Sequence, residues 1–355
     1  MTPALLTQHR LTHQHLSGSL FGKPADVVNY MGAMQAQDYL GSLWAIGLRT
    51  KKATEADIEK EIARKTIVRT WPMRGTLHFV SAENVRWMLK YLTPRPMARA
   101  ATQHRKEGIT ANEFKKSRKV LEPLLRDHHS LTRDEIYAAL ERNKISCKAQ
   151  RGMHIIVQLA QEGVLCMASR KGKQHCLALL EEWIPKSKMI SKEEALYELA
   201  LTYFTTRGPA SLSDFTWWSG LSPQDVRTAI HSAEHTLKQL DINDTNYWTK
   251  AGTPVPPTFF TLFLPPFDEY MMAYKDRSAT VDPVHAHHVR SSANGLFSPV
   301  IVHAGKIVGT WGRVITKDSV TISTQLFSSS KVSKAAIAKE AERYGAFLGL
   351  AAHIK

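Results

Sequence analysis

Thr132-Arg133-Asp134-Glu135 begins the most legible stretch of this chain, residues 130–180. A Thr followed three residues later by Glu is a capping box, in which each side chain binds the other residue's backbone N–H. A helix is therefore expected from here through Leu140. Residues 151–162 read as a second helix, with Ile155, Ile156, Leu159 and Ala160 on one apolar face and Gly163 as its stop. Val164-Leu165-Cys166-Met167 and His175-Cys176-Leu177-Ala178-Leu179 read as paired strands, with Arg170-Lys171-Gly172-Lys173 as the turn between them. Helix, helix and a basic-tipped hairpin make a winged helix.

The same unit recurs on both sides. A first copy fits residues 5–80, with its last helix at 55–64, its wing at 68–80 and Arg74-Gly75 near the turn. A third copy fits residues 191–248, where Ser211-Leu212-Ser213-Asp214 and Ser222-Pro223-Gln224-Asp225 both look like helix starts. The repeat is one of architecture, without strong residue-by-residue similarity. At Pro254, Pro256 and Pro257 the composition changes. Strand-like segments follow at 259–264, 299–303, 306–311 and 319–324, with Ala304-Gly305 as a hairpin turn and a closing helix at 333–350. The expected fold is α+β: three tandem winged-helix domains (1–92, 93–188 and 189–255), then a small C-terminal β-barrel-like domain at 256–355.

A chain of 355 residues exceeds one ordinary core. No apolar run approaches the length that spans a bilayer, which speaks against a membrane partner. The first ten residues lack the basic segment and apolar block of a secretory signal. Cys147, Cys166 and Cys176 form no CxxC pair and suggest no disulfide framework, so a cytoplasmic location is expected. The net charge of +15 points to a polyanion as partner. Its distribution supports this. Residues 86–119 hold ten Lys/Arg against two acids, and residues 142–175 hold seven against one. Charge concentrated in this way suits phosphate contacts.

Gln35 and Gln37 stand in Met34-Gln35-Ala36-Gln37-Asp38-Tyr39, directly after an apolar helical pattern at Val27, Val28, Met31 and Met34. On a continuing helix, residues two apart point about 200° apart and cannot serve one site. In an extended segment they share a face. If both amides act together, the helix must end near Met34, and Gly41 fits such a break. The plainer reading is that the two amides cap the helix or bind backbone.

Three motifs together resemble a known family. They are Gln35-Ala36-Gln37, then Arg69-Thr70-Trp71-Pro72-Met73-Arg74-Gly75-Thr76-Leu77-His78, then Leu264-Pro265-Pro266-Phe267-Asp268-Glu269-Tyr270-Met271-Met272-Ala273-Tyr274-Lys275-Asp276-Arg277. The chain is similar over nearly its whole length to the AlkZ/YcaQ family of bacterial winged-helix DNA glycosylases. The glutamine at both outer positions of the first motif places it with the AlkZ (Gln-x-Gln) branch. Asp38, one residue further on, is not the aspartate of the Gln-x-Asp branch. The resemblance implies a DNA channel in double-stranded DNA repair, excision of alkylated purines including bulky N7 adducts and interstrand crosslinks, and a bacterial, nucleoid-associated setting. It also implies that Gln35 and Gln37 are catalytic.

The residue chemistry agrees. Alkylation at N7 makes a purine cationic and already a good leaving group. What remains is to stabilise an oxocarbenium-like sugar and to place a water. A carboxamide oxygen offers a dipole for the first and lone pairs for the second. No lysine nucleophile stands out, so a monofunctional enzyme is expected, acting as a monomer without cofactor. Candidate DNA contacts are Arg69, Arg74, His78, Lys171 and Lys173. Arg74 reads either as a phosphate contact or as an exposed wing charge, and His78 as a pocket or a structural residue. Trp71 reads as core. Asp268 is a lesion-pocket candidate, and Asp276-Arg277 an internal ion pair. His285-Ala286-His287-His288 lacks evident further ligands, so no metal is expected. The rival class is a non-enzymatic winged-helix DNA-binding protein such as a transcription regulator.

Overall fold

The structure is a computed structural model that describes residues 2–242, 245–252, 260–290, 297–327 and 330–355. The proline boundary at Pro254, Pro256 and Pro257, and the first residue of the expected 259–264 strand, lie outside the described residues. The chain divides into two compact units. One comprises Met1–Ile58, Tyr197–Trp218 and Pro223–Lys355, and the other Glu59–Leu196 with Ser219–Ser222.

The second unit contains the stretch around Thr132. Its helix is Arg133–Arg142, and the reciprocal cap is formed: Glu135 N donates to Thr132 Oγ1, and Thr132 N donates to Glu135 Oε2. A matching box, Thr110 with Glu113, opens the helix Ala111–Leu125. The helix Arg151–Gln161 follows, and then the hairpin Leu165–Lys171 with Gln174–Leu179. The tight turn is Gly172-Lys173, shorter than the expected four residues, because Lys171 still pairs with Gln174. A second hairpin, Ile67–Met73 with Thr76–Ser81, joins the first edge to edge through Arg69 and Met167. Trp71 lies in the core beneath them with Ile136, Leu140, Ile155 and Leu159.

The first unit carries two sheets. The smaller has the order Ala210–Ser211, Thr245–Lys250, Leu237–Ile242. It accompanies the helices Leu212–Ser219 and Pro223–Ala233. Both expected helix starts are present, and Ser211 and Asp214 cap each other reciprocally. The larger sheet has five strands in the order Thr261–Leu264, Val300–His303, Lys306–Ile315, Ser319–Leu326, Ala351–Ile354. The first four are antiparallel neighbours and the last is parallel to the fourth. The expected barrel-like domain is built on this five-stranded sheet, with Thr261–Leu264 and Ala351–Ile354 as its edges among the described residues. The C-terminal helix is Lys334–Leu348. It stops at Gly349, whose φ of 70° releases the chain into a final strand that the sequence pattern did not reveal. Among the described residues no helix is long and apolar enough to cross a membrane.

Candidate active site

The glutamine segment is set by an abrupt end to a helix. Pro24–Met31 buries Val27, Val28 and Met31, and stops at Gly32 with φ 72°. That conformation favours a residue without Cβ. A Cβ at Gly32 would also lie 2.8 Å from Thr202 Cγ2. The chain then runs as the short strand Ala33–Gln35. The helix thus ends before Met34, as a shared glutamine face requires, but Gly32 makes the break and Gly41 does not. Gly41 sits inside the next helix, Tyr39–Arg49, where a Cβ would fall 2.5 Å from Asp38 Oδ2 and 3.1 Å from Pro265 Cβ. Its role is close packing.

One buried ion pair holds the strand. Arg207 and Glu269 meet at 2.7 Å with side chains 0% and 1% exposed. Glu269 Oε1 accepts the Gln35 backbone N–H at 2.9 Å. Glu269 Oε2 accepts from Arg207 Nε at 3.0 Å, Arg207 Nη2 at 2.7 Å and Trp218 Nε1 at 3.1 Å. Arg207 also donates to the carbonyls of Met31 (2.8 Å) and Ala33 (2.7 Å), which flank Gly32. Gln35 is 6% exposed, whereas Gln37 is exposed. The strand ends at Gln35, so Gln37 lies in the bend that leads to the Tyr39–Arg49 helix. Beyond it, Asp38 pairs with Arg313 at 3.3 Å, the two side chains 31% and 16% exposed.

Residues 28–347 match the family described as DNA glycosylase AlkZ-like. The chain belongs to the AlkZ-like DNA glycosylase family. It is a DNA glycosylase, and its substrate is DNA. A regulator without enzymatic activity is thereby set aside. A curated relative, the interstrand DNA cross-link repair glycosylase of Streptomyces sahachiroi, is 25% identical over 352 residues, covering 94% of this chain and 92% of the relative. The solved structure of Streptomyces sahachiroi DNA glycosylase AlkZ has the same fold. Its TM-score is 0.83 at 22% identity, over 100% of this chain and 99% of that one.

In this AlkZ-like chain the third motif is a scaffold. Asp268 is buried, and both of its oxygens are engaged by Arg49, Nη1 at 2.8 Å and Nη2 at 2.9 Å. Oδ1 also accepts the Tyr270 N–H at 2.9 Å, capping the turn Glu269–Met272. Arg49 reaches Gln14 as well, through Nε to the carbonyl and Nη2 to Oε1. Asp268, the lesion-pocket candidate, thus has both carboxylate oxygens bound inside a buried network. Tyr270 donates to the Gly305 carbonyl at 2.7 Å and Tyr274 to that of Arg207 at 2.8 Å. Asp276 and Arg277 do not form the expected pair. Asp276 Oδ1 accepts from Ser278 N, and Arg277 Nε donates to the Met271 carbonyl.

The basic candidates lie in the other unit and differ sharply in exposure. Lys171 and Lys173 are exposed at the tip of their hairpin. Lys171 Nζ donates to the Ser130 carbonyl at 2.8 Å and lies 4.0 Å from Glu135 Oε2. Arg69 is 4% exposed and His78 is 0% exposed. Both expected DNA contacts are therefore internal groups in this structure. Burial, and then the charges of Arg69 and Arg170, pushes nearby His175 down to about 4. Arg74 and Gly75 form the other hairpin's turn with φ 56° and 75°. Two positive φ values in a two-residue turn match the twist of the flanking strands. Arg74 is half-buried and places Nη2 3.2 Å from His78 Nε2. Because a guanidinium only donates, Nε2 accepts, and Nδ1–H then donates to the Thr76 carbonyl at 2.9 Å. His78 thus holds Arg74.

The His285–His288 run packs on an aromatic ring. His285 and His288 stack on Phe327 with centroids 4.3 and 5.3 Å apart. Among the described residues no group of three or more His, Cys, Asp or Glu is arranged to hold a metal. Arg207, Glu269, Trp218, Arg49 and Arg313 were not singled out in the sequence. Glu269 lies within the third motif, but no local pattern marks it as the partner of a strand 234 residues away.

Proposed function

We propose that this glycosylase hydrolyses the N-glycosidic bond of alkylated purines in double-stranded DNA, foremost N7-alkylguanine and related cationic adducts, interstrand crosslinks among them. Gln35 and Gln37 carry the chemistry. Their amide oxygens face the positive charge that grows on the sugar, and one of them orients the attacking water. A neutral amide is a weak proton acceptor, so the substrate must bring its own activation, as a cationic N7-alkylpurine does. No cofactor or metal enters such a step. The carrying observation is the fixed end of the Ala33–Gln35 strand, beside which Gln37 is exposed. A glutamine that only capped a helix would not need a strand held by a buried ion pair.

The domain reading belongs to the same proposal. Segments 1–92, 93–188 and 189–255 act as winged helices, and 256–355 as a β-rich domain. The run Ala111–Leu125, Leu131–Thr132, Arg133–Arg142, Arg151–Gln161 and the basic hairpin supports this for the middle segment. The exposed Lys171 and Lys173 bind phosphate there, and Arg74 grips phosphate from the neighbouring hairpin. The enzyme works as a monomer in the bacterial cytoplasm, on the nucleoid. The test is a duplex carrying one N7-methylguanine, incubated with the protein and then cleaved in alkali at any abasic site. A cut at the lesion alone is expected. An intact strand after prolonged incubation with excess enzyme contradicts the substrate class.

A further inference from the structure

Two buried side chains reach the backbone on both sides of the glutamine motif's helix break. Arg207 donates to the last carbonyl before Gly32 and the first after it, and Glu269 takes the N–H of Gln35 itself. Stability alone is a poor reason to bury such a pair, because desolvation offsets most of its Coulomb attraction, and well-packed apolar residues often do as well. Apolar residues cannot bind three main-chain groups of one short segment.

We propose that Arg207 and Glu269 are the positioning residues of catalysis. They fix the backbone at Gly32 and Gln35 so that the Gln35 amide is already aimed before DNA arrives, and neither touches the substrate. The inference rests on the catalytic reading of Gln35. Its physical basis is preorganisation: a group held in its working geometry needs no reorganisation in the transition state, and a misplacement near 1 Å costs about 10²-fold in rate. Trp218 shares Glu269 Oε2, and its indole lies under the Arg207 guanidinium at 4.5 Å. The pair is thus fixed from its other side as well.

The experiment is single-turnover excision of N7-methylguanine with saturating enzyme, well below the unfolding temperature of each variant, with DNA affinity measured in parallel. Glu269→Gln keeps the shape and removes the charge that orients Arg207. Its rate is expected to fall about 10²-fold while affinity stays within about twofold. The decisive arm is the double variant Gln35→Ala with Glu269→Gln. If Glu269 works only through Gln35, the double variant is no slower than Gln35→Ala alone. Multiplying effects would make Glu269 a general structural residue and overturn the inference. Full rate in Glu269→Gln, with Gln35→Ala slow, overturns the positioning role and leaves the catalytic reading standing. Full rate in Gln35→Ala removes both. If Glu269→Gln does not fold, Glu269→Asp takes its place: it keeps the charge, withdraws the carboxylate from the Gln35 N–H, and is read by the same three outcomes.

Discussion

Two arginine–carboxylate pairs bracket the glutamine motif, and they sit in different media. Arg207–Glu269 is fully buried and binds backbone before and at Gln35. Arg313–Asp38 is partly solvated and is made at the side chain of the residue that follows Gln37. In a low-dielectric interior a charge that loses its partner is left uncompensated, whereas at the surface water takes the partner's place. Gln35 is consequently anchored by the core of its unit, and Gln37 meets the solvent side. The two residues are alike in sequence and unlike in burial.

That contrast is easiest to break at the buried pair. Glu269→Leu alone should destabilise the protein by about 3–5 kcal/mol, since Arg207 is left charged in the interior. Asp38→Asn should cost about 0–1 kcal/mol, less still in high salt. Urea unfolding of both variants checks the difference. Equal losses would mean that burial does not distinguish the two pairs.

Acid gives a smaller effect from a separate place in the same unit. Burial, and then His9, holds His13 down to about 4, so it is neutral in the native protein. The unfolded chain binds its proton near the ordinary value of 6.5. Between those values the unfolded state carries more protons, so His13's contribution is complete above about pH 6.5 and is lost as pH falls toward 4. His13→Gln should flatten the stability curve in that window without altering the excision rate at neutral pH. An unchanged slope would remove His13 from the account.

The smallest effect on chemistry is expected at the basic hairpin. Charge reversal at Lys173 should weaken binding to all sequences alike and lower the salt slope by about one. Reversal at Lys171 should do less, because its ammonium already serves the Ser130 carbonyl. Neither should change the single-turnover rate at saturation. A slower chemical step in either variant would mean that the hairpin does more than bind phosphate.

Sequence revealed what local rules control. The Thr132–Glu135 box, the Arg151–Gln161 helix and the two hairpins follow from capping, period and turn chemistry within a few residues. Gly32 and Gly41 flank the motif almost equally in sequence, and only the positive φ at Gly32 tells the break from the packing site. Arg69 and His78 look as basic as Lys171 and Lys173, yet strand alternation does not say which face the rest of the fold will cover. The last strand, Ala351–Ile354, has little strand propensity and forms by pairing with Ser319–Leu326. Arg207 and Glu269 lie 62 residues apart, and their meeting is a property of the tertiary fold.

The most direct measurement is the single-turnover rate at which Gln35→Ala and Gln37→Ala release N7-methylguanine from duplex DNA at saturating enzyme. Removing a preorganised dipole should slow each by about 10²–10³, toward the lower end because the leaving group is already cationic, while DNA affinity stays near that of the unaltered protein. If both variants release the base at the unaltered rate, the two glutamines are structural and the catalytic assignment is wrong.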